Sequence, residues 1–257
     1  MNYIEYFHIN RPILSALIVK YVKGPYKSSF LGYLWYLLNP LTLAVSYYIA
    51  FVNVLNYSLP NYIVYLMSGL FSTVFFLHGT IGGSNAIVSE ASLIEKINFS
   101  RILIPIAYTF SKFIMFLVSE IIVLALLVIL GHPLNAVVIL MMPLMMFEFV
   151  FMVGLISFLS ALTVYIRDLG NMLSYMGTLL SWISPTAYLP SDTSGLLSLV
   201  IKINPMTYFL NCYHSILYCG IFPEILDIVA CIFFSLIMVI VGVYVFEKLK
   251  DNFLEVL

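Results

Sequence analysis

A long uncharged stretch constrains the fold more than any other feature of this sequence. Between Lys27 and Glu90 there is no Asp, Glu, Lys or Arg. A helix that crosses a bilayer needs about 20 apolar residues, so this stretch can hold two crossings. The rest of the chain is similar in character, since 63% of its 257 residues are hydrophobic and only 9% are charged. This balance leaves too little polar surface for a soluble globule, and it predicts an all-α polytopic membrane protein.

Hydropathy predicts six membrane-crossing helices within a single transmembrane domain that covers residues 1–257. Their predicted bounds are 34–54, 62–81, 113–130, 136–165, 172–189 and 228–246. The turn-forming residues 56–61 separate the first two crossings, and Pro185 interrupts the fifth. An even number of crossings places both chain ends on the same side of the membrane.

Residues 190–223, between the fifth and sixth crossings, are too apolar for a solvated loop. Asn204-Pro205 divides this segment into two pieces, and each piece is shorter than the roughly 20 residues needed to cross. Chain that enters the membrane without crossing it is tolerated where protein covers its backbone. The segment is therefore predicted to form a pair of re-entrant helices on the external side.

Residues 1–30 are predicted to form an amphipathic helix that lies at the membrane interface. Apolar residues recur there at helical spacing, whereas lysines mark another face. The apolar set is Leu14, Leu17, Ile18 and Tyr21, and the basic set is Lys20, Lys23 and Lys27. Asn10 is predicted to cap the start of this helix, and Gly24-Pro25 to end it. The alternative is a short solvated basic segment.

Residues 84–101, between the second and third crossings, are more polar than the segments on either side. Ser92 and Glu95 have the spacing of a capping box, which predicts a short helix outside the bilayer. The apolar face of this short helix is predicted to consist of Leu93, Ile94 and Ile97.

The distribution of basic residues predicts the orientation. Of the 11 Lys and Arg residues, only Lys202 lies on the side opposite the others in the predicted topology. Basic residues concentrate on the cytoplasmic side of membrane proteins, so both termini are predicted in the cytoplasm. The first ten residues lack a basic region followed by an apolar core, so no cleavable signal peptide is expected.

Several classes of function are disfavoured by the sequence. The net charge of −1 comes without a basic cluster, so nucleic acid is not an expected partner. There is no HExxH or GxSxG motif, and the four histidines and three cysteines lack metal-ligand spacing. We therefore expect no catalytic site, metal or cofactor on this chain. The energy for uphill transport must then come from an ion gradient or from a separate ATPase.

Six sequence motifs resemble, in the same order, those of one transporter family. They are residues 26–35 with Asn39-Pro40-Leu41, residues 95–101 with Pro105, Val164-Tyr165-Ile166-Arg167-Asp168, Ser184-Pro185 with Tyr188, Asn204-Pro205-Met206, and residues 246–250. This pattern is similar to the membrane subunits of type-2 ABC exporters for O-antigen and related polysaccharides, the Wzm-like permeases. The chain departs from the family at Pro25, where Arg is usual, at Ser100, where Pro is usual, and at Ser72-Thr73, which replace Pro-Trp.

The resemblance implies partners and roles for two segments. Two copies of the chain would form a channel in the inner membrane of a prokaryote, and two copies of a cytoplasmic ATPase, carrying ATP and Mg, would drive export of an undecaprenyl-type lipid-linked polysaccharide. The residues that it implies for coupling to the ATPase are Ser92, Leu93, Ile94, Glu95, Lys96, Ile97 and Arg101. The residues that it implies for an external gate are Pro185, Pro190, Asn204 and Pro205. The alternative for the coupling segment is a plain cytoplasmic connector.

Aromatic residues near the two mouths are candidates for lining the channel. Sugars have C–H faces that lie on aromatic rings and hydroxyls that need hydrogen-bond partners, so Tyr and Trp suit a glycan. The candidates are Tyr33, Trp35, Tyr36, Phe75, Phe76, Tyr175, Trp182 and Tyr188. The alternative is a membrane-interface belt, which gathers the same residue types in proteins of every function.

Two carboxyl groups, Glu120 and Glu148, lie inside the third and fourth predicted crossings. Each must be protonated, paired or facing water, and Lys112 is a possible partner. Such groups serve as relays in proton-coupled proteins, so an ion-coupled carrier or flippase of lipid-linked sugars stays open as a rival. A membrane-embedded enzyme acting on lipid-linked sugars is a second rival. We favour a helix-packing role for both side chains.

Overall fold

The computed structural model describes residues 3–24, 30, 32 and 34–256, and it leaves out the side chains of residues 3–9, 36, 37 and 178. All regular structure in these residues is helical. The twelve α-helices are α1 Tyr3–Lys23, α2 Leu34–Tyr48, α3 Tyr62–Ser84, α4 Ala86–Ser89, α5 Ala91–Lys96, α6 Leu103–Ile129, α7 Met141–Tyr165, α8 Leu169–Ile183, α9 Gly195–Ile203, α10 Pro205–Tyr213, α11 Ile225–Leu249 and α12 Phe253–Val256. Wider π-helical turns extend α2 through Ile49–Val54 and α10 through His214–Cys219.

Four helical segments are each long and apolar enough to cross a membrane. They are Tyr62–Ser84, Leu103–Ile129, Ala136–Tyr165 and Ile225–Val256. A helix also lies at the other two predicted crossings, where α2 with its π-helical turns spans 34–54 and α8 spans 169–183. An all-helical polytopic membrane protein is thus confirmed, and the number six stays a prediction.

Helix α3 lies at the centre of the bundle and α11 at its edge. In the most apolar window of α3, 83% of the residues are buried, against 17% for the segment that contains α11. Helix α11 instead presents its apolar side chains outward and packs along α7. The two helices cross closely at Gly154 and Gly242, where a methyl group on either glycine would collide with the backbone of the other helix.

The connections between helices gather at two ends of the bundle. At one end, the Tyr57 hydroxyl donates to the Asp192 carboxylate at 2.5 Å, and the Asn135 amide donates to the Gly220 carbonyl oxygen at 3.0 Å. At the other end, α1, α5 and α12 contribute Leu17, Ile94 and Phe253 to one buried apolar cluster. We call the second the terminal end, because segments near both chain termini lie there, and the first the opposite end.

Several predicted boundaries are wrong, each for a physical reason. Helix α1 begins at Tyr3, so Asn10 does not cap it; the Asn10 side chain is buried and accepts from the Ser100 backbone N–H at 3.3 Å. Helix α6 begins at Leu103 and not at the predicted residue 113. Pro105 fits a first helical turn, because its missing N–H has no intrahelical partner to lose there. Helix α8 ends before Pro185, since the residue preceding a proline avoids helical backbone.

Two short helices, α9 and α10, occur in the predicted re-entrant segment and divide at Asn204-Pro205, and their re-entry into the membrane stays a prediction. Helix α1 ends at Lys23, next to Gly24, where the Gly-Pro pair predicted it to end. The predicted roles of Pro25 and Lys27, and the motif at 26–33, fall largely outside the described residues.

Candidate functional site

The short helix α5 presents a polar surface at the terminal end. Ser92, Glu95 and Lys96 are exposed, as is Ile97 just beyond the helix, with 47% of its surface accessible. We call these four residues the coupling face. Ile94 points the other way and is only 5% exposed. The expected capping box is absent, because α5 begins at Ala91 and Ser92 already lies within its first turn.

The predicted common apolar face of Leu93, Ile94 and Ile97 is also wrong. Leu93 and Ile94 pack into the cluster at the terminal end, whereas Ile97 is exposed. Ile97 follows the helix in an extended conformation, with φ −131° and ψ 130°, and so leaves the helical period. The two inward side chains anchor α5 to the bundle and leave its outer surface polar.

Glu90 ties α1 to the segment that carries α5. Its carboxylate is 3% exposed, and the Lys20 ammonium group lies 2.7 Å from each of its oxygens. The Tyr21 hydroxyl donates to the same carboxylate at 3.1 Å. Burial, followed by the charge of Glu90, raises the pKa of the Tyr21 phenol, which keeps it a donor. Sequence reasoning missed this site, although Glu90 is the first acidic residue after the long uncharged stretch.

Arg101 belongs to the terminal end but not to the exposed coupling face. Its guanidinium donates to the Lys250 carbonyl oxygen, and both residues line a polar cleft of about 230 Å³. The neighbouring Arg167 donates to the Val256 carbonyl oxygen at 3.4 Å. The basic residues of two separate motifs thus bind the backbone of the last described residues.

The Asn-Pro-Met motif organises the opposite end. The Asn204 side chain caps α10 by accepting from the Met206 N–H at 3.0 Å, and Pro205 occupies the first helical position. The Asn204 amide also donates to the Ser184 hydroxyl at 3.0 Å. One side chain therefore fixes the start of α10 against the segment that follows α8, which contains Pro185.

Tyrosines at the start of α3 and just before it hold the segment 184–192, which we call the gate linker. The Tyr62 hydroxyl donates to the Ala187 carbonyl oxygen at 3.0 Å, and the Tyr65 hydroxyl to the Tyr188 carbonyl oxygen at 2.8 Å. Tyr57 accepts from the Leu189 N–H at 3.1 Å in addition to its bond to Asp192. Pro190 begins a short 3-10 turn in the same linker.

A histidine that the sequence analysis did not select contacts the gate linker. His214 is buried and stacks on Tyr65, with ring centroids 3.9 Å apart. One of its ring nitrogens lies 2.8 Å from the Ser68 hydroxyl and the other 3.2 Å from the Pro185 carbonyl oxygen. Short-range patterns did not indicate these contacts, because they join residues far apart in the chain.

The structure separates the aromatic candidates into exposed and buried sets. Trp35, Tyr175 and Trp182 are 43%, 78% and 52% exposed. Phe75 and Phe76 lie in the packed core, so in this conformation neither ring reaches a surface that a substrate could touch. Tyr188 is partly buried, with its hydroxyl bound to the carbonyl oxygens of residues 182 and 183. Tyr33 and the side chain of Tyr36 are outside the described residues.

The exposed aromatics belong to two neighbouring helices. Tyr47 of α2 and Trp182 of α8 meet edge to face, with ring centroids 5.4 Å apart. Both helices leave large apolar side chains exposed: Leu34, Trp35, Leu41, Val45 and Tyr48 on α2, and Met172, Tyr175, Met176, Leu179 and Trp182 on α8. We call these exposed side chains of the two helices the α2–α8 face.

The two intramembrane carboxyl groups differ in their partners. Glu148 accepts from the Ser72 hydroxyl at 2.9 Å and from the Tyr213 hydroxyl at 2.8 Å, so it joins α3, α7 and α10. Among the described residues, the two buried oxygens of Glu120 have no hydrogen-bond partner. Lys112 pairs with neither, since its ammonium group lies over the Tyr108 ring, 5.2 Å from the centroid.

Comparison with known proteins gives consistent matches. The family model for the ABC-2 type transporter matches residues 13–218. An O-antigen export system permease protein RfbA from Klebsiella pneumoniae is 28% identical over 247 residues, which cover 95% of each chain. A second protein of the same name, from Myxococcus xanthus, is 27% identical over 248 residues, again 95% of each chain. The chain belongs to the ABC-2 type transporter family of membrane permeases.

Proposed function

We propose that this chain is the permease subunit of an ATP-driven exporter of O-antigen or a related lipid-linked polysaccharide. Two copies would form the channel and two copies of a cytoplasmic ATPase would supply the energy. The family assignment supports pairing with an ATP-binding subunit, and the names of the similar proteins support the substrate class.

The observation that carries this proposal is the coupling face at the terminal end. A helix of only six residues, Ala91–Lys96, is anchored inward by Ile94 and keeps Ser92, Glu95 and Lys96 exposed. An exposed polar helix surface on a membrane protein fits a soluble partner better than it fits lipid. With both termini in the cytoplasm, as the basic residues predict, this surface would meet the ATPase.

The α2–α8 face supports the choice of a second copy and of a glycan. Large rings with one polar atom, such as Trp35, Tyr175 and Trp182, offer apolar faces to sugar C–H groups and hydrogen bonds to sugar hydroxyls. A single copy leaves this surface open on one side. Two such faces turned toward each other would enclose a path lined by aromatic rings.

The gate linker and the two short helices after it suit the outer mouth. Residues 184–192 are held by hydroxyl groups of tyrosines, which can exchange these bonds for bonds to water or to sugar hydroxyls. We propose that closure of the ATPase displaces α5 and α1, separates the two α2–α8 faces, and lets α9 and α10 open outward.

Co-purification with the candidate ATPase tests the coupling role. Lys96→Glu on the coupling face should weaken assembly or the stimulation of ATP hydrolysis, because it reverses one charge of the docking surface. Lys248→Glu is the matched control, since Lys248 is also exposed near the terminal end but lies outside the coupling face. Equal effects of both variants, or none from Lys96→Glu, would count against docking at α5.

One observation favours the rival carrier, namely the buried Glu120 without a hydrogen-bond partner among the described residues. A carboxyl group of that kind is a candidate for binding and releasing a proton. If transport were proton-coupled, Glu120→Gln would abolish it and an uncoupler would stop it at normal ATP levels. For an ABC exporter, Glu120→Gln should retain export that depends on ATP.

A further inference from the structure

The last described residues fold back and pack against the helices at the terminal end. Phe253 of α12 is fully buried, and its ring centroid lies 5.5 Å from that of Phe246 and 6.3 Å from that of Tyr165. Helix α12 contacts both α5 and α7. Residues 250–256, which we call the tail, are therefore part of the packed structure at the terminal end.

The backbone of the tail is bound by side chains from two different connections. Arg101, which lies between α5 and α6, donates to the Lys250 carbonyl oxygen. Arg167, which lies between α7 and α8, donates to the Val256 carbonyl oxygen at 3.4 Å. The Tyr165 hydroxyl donates to the carbonyl oxygen of Leu249, the residue just before the tail, at 3.0 Å.

The apolar side of the tail meets the inward side of α5, the coupling helix. Phe253 and Ile94 belong to one buried cluster, which also contains Leu17 of α1. The ion pair of Lys20 with Glu90 adds a second link between α1 and the segment that carries α5. The tail thus lies between the coupling helix and the connection that leads into α8.

From this arrangement we propose that Phe253 is a positioning residue for energy coupling. It holds the tail as a strut between α5 and the α7–α8 connection, so a displacement of the coupling face moves α8. The proposal rests on the proposed function for its transport consequence, but the mechanical link itself is a property of this chain alone.

Two variants of neighbouring residues separate this role from a general effect of the tail. Phe253→Ala removes the buried ring, whereas Leu254→Ala changes an exposed side chain, 49% accessible, in the same short helix. In the full chain in lipid nanodiscs, hydrogen exchange should accelerate at the amides of residues 91–97 and 166–170 in Phe253→Ala. It should be unchanged in Leu254→Ala, and Phe253→Leu should restore most of the protection.

In the reconstituted complex, Phe253→Ala should still assemble and hydrolyse ATP, with a loss of glycan exported per ATP. Tyr165→Phe deletes only one hydroxyl and should give a smaller loss of the same ratio, which covers the case that Phe253→Ala fails to fold. Unchanged exchange at residues 91–97 in both variants would overturn the strut. Altered exchange with a wild-type complex that exports no glycan would instead refute the proposed function and leave the strut in place.

Discussion

Removing either partner of the ion pair between Lys20 and Glu90 should lower the free energy of unfolding, by an amount that depends on which partner is removed. The Glu90 carboxylate is 3% exposed, whereas the Lys20 side chain is 59% exposed. Lys20→Met leaves a buried anion that keeps the Tyr21 hydroxyl as a donor but loses its charged partner, and stranding a buried acceptor costs about 1–3 kcal/mol. Glu90→Gln leaves the lysine in water and keeps an acceptor for Tyr21, so its cost should resemble that of a surface pair, about 0.5–1 kcal/mol.

A double-mutant cycle measures the pair itself. The double variant Lys20→Met with Glu90→Gln removes the buried charge as well as its partner. It should therefore be more stable than the sum of the single effects implies, by about 1 kcal/mol. Lys23→Met is the control, because Lys23 is exposed in the last turn of the same helix, and it should change the stability by less than about 0.5 kcal/mol.

The free energies come from unfolding of the purified chain by SDS in mixed micelles, followed by its helical circular dichroism. Glu90→Gln costing more than Lys20→Met would refute the argument from burial. Strict additivity of the two single effects would show that the two side chains do not interact. Additivity would also remove one of the two links between α1 and the segment that carries α5.

Three further outcomes follow from the structure. Gly242→Ala places a methyl group against the backbone at Gly154 and should destabilise the chain by about 1–3 kcal/mol in SDS unfolding. Gly24→Ala has open space around it and should be neutral. A reversed order of the two variants would show that the α7–α11 crossing is wrong. Asn204→Ala loses the cap of α10 and should lower the free energy of unfolding by about 1 kcal/mol in the same assay. Asn204→Asp can still cap the helix and should lower it by less. Equal losses in the two variants would exclude the cap as the cause. Burial and the hydrogen bond to Asp192 raise the pKa of the Tyr57 phenol from 10.0 to about 12, so its contribution to folding stability is complete below pH 10 and is lost as the pH rises through 12. Thermal denaturation between these pH values should show a destabilisation that Tyr57→Phe abolishes. A Tyr57→Phe variant with the wild-type pH profile would contradict this assignment.

The helices that face lipid follow from sequence because the bilayer imposes a local rule. Each crossing needs its own apolar run, so a helix appears at every predicted crossing, and residues 34–54 match α2 with its π-helical turns. The division at Asn204-Pro205 could also be predicted from the sequence, since proline at the first helical position and asparagine before it have a fixed local geometry.

The errors concern contacts between residues far apart in the chain. Asn10 is suited to a cap, but it is buried against Ser100, so α1 continues through it to Tyr3. Ser92 and Glu95 have capping-box spacing, yet α5 starts at Ala91, directly after the buried Glu90. Phe253 belongs to a buried cluster with residues from six other helices, α1, α4, α5, α6, α7 and α11, and no local pattern in a polar terminal segment reveals such a neighbourhood.

ATP-dependent translocation by reconstituted vesicles tests the central claim most directly. Lipid-linked glycan should cross the membrane only when this chain and the ATPase subunit are both present, and it should stop when a catalytic residue of the ATPase is replaced. An uncoupler added at constant ATP should leave the rate unchanged. Translocation by this chain alone, driven by a proton gradient without ATP, would contradict the account.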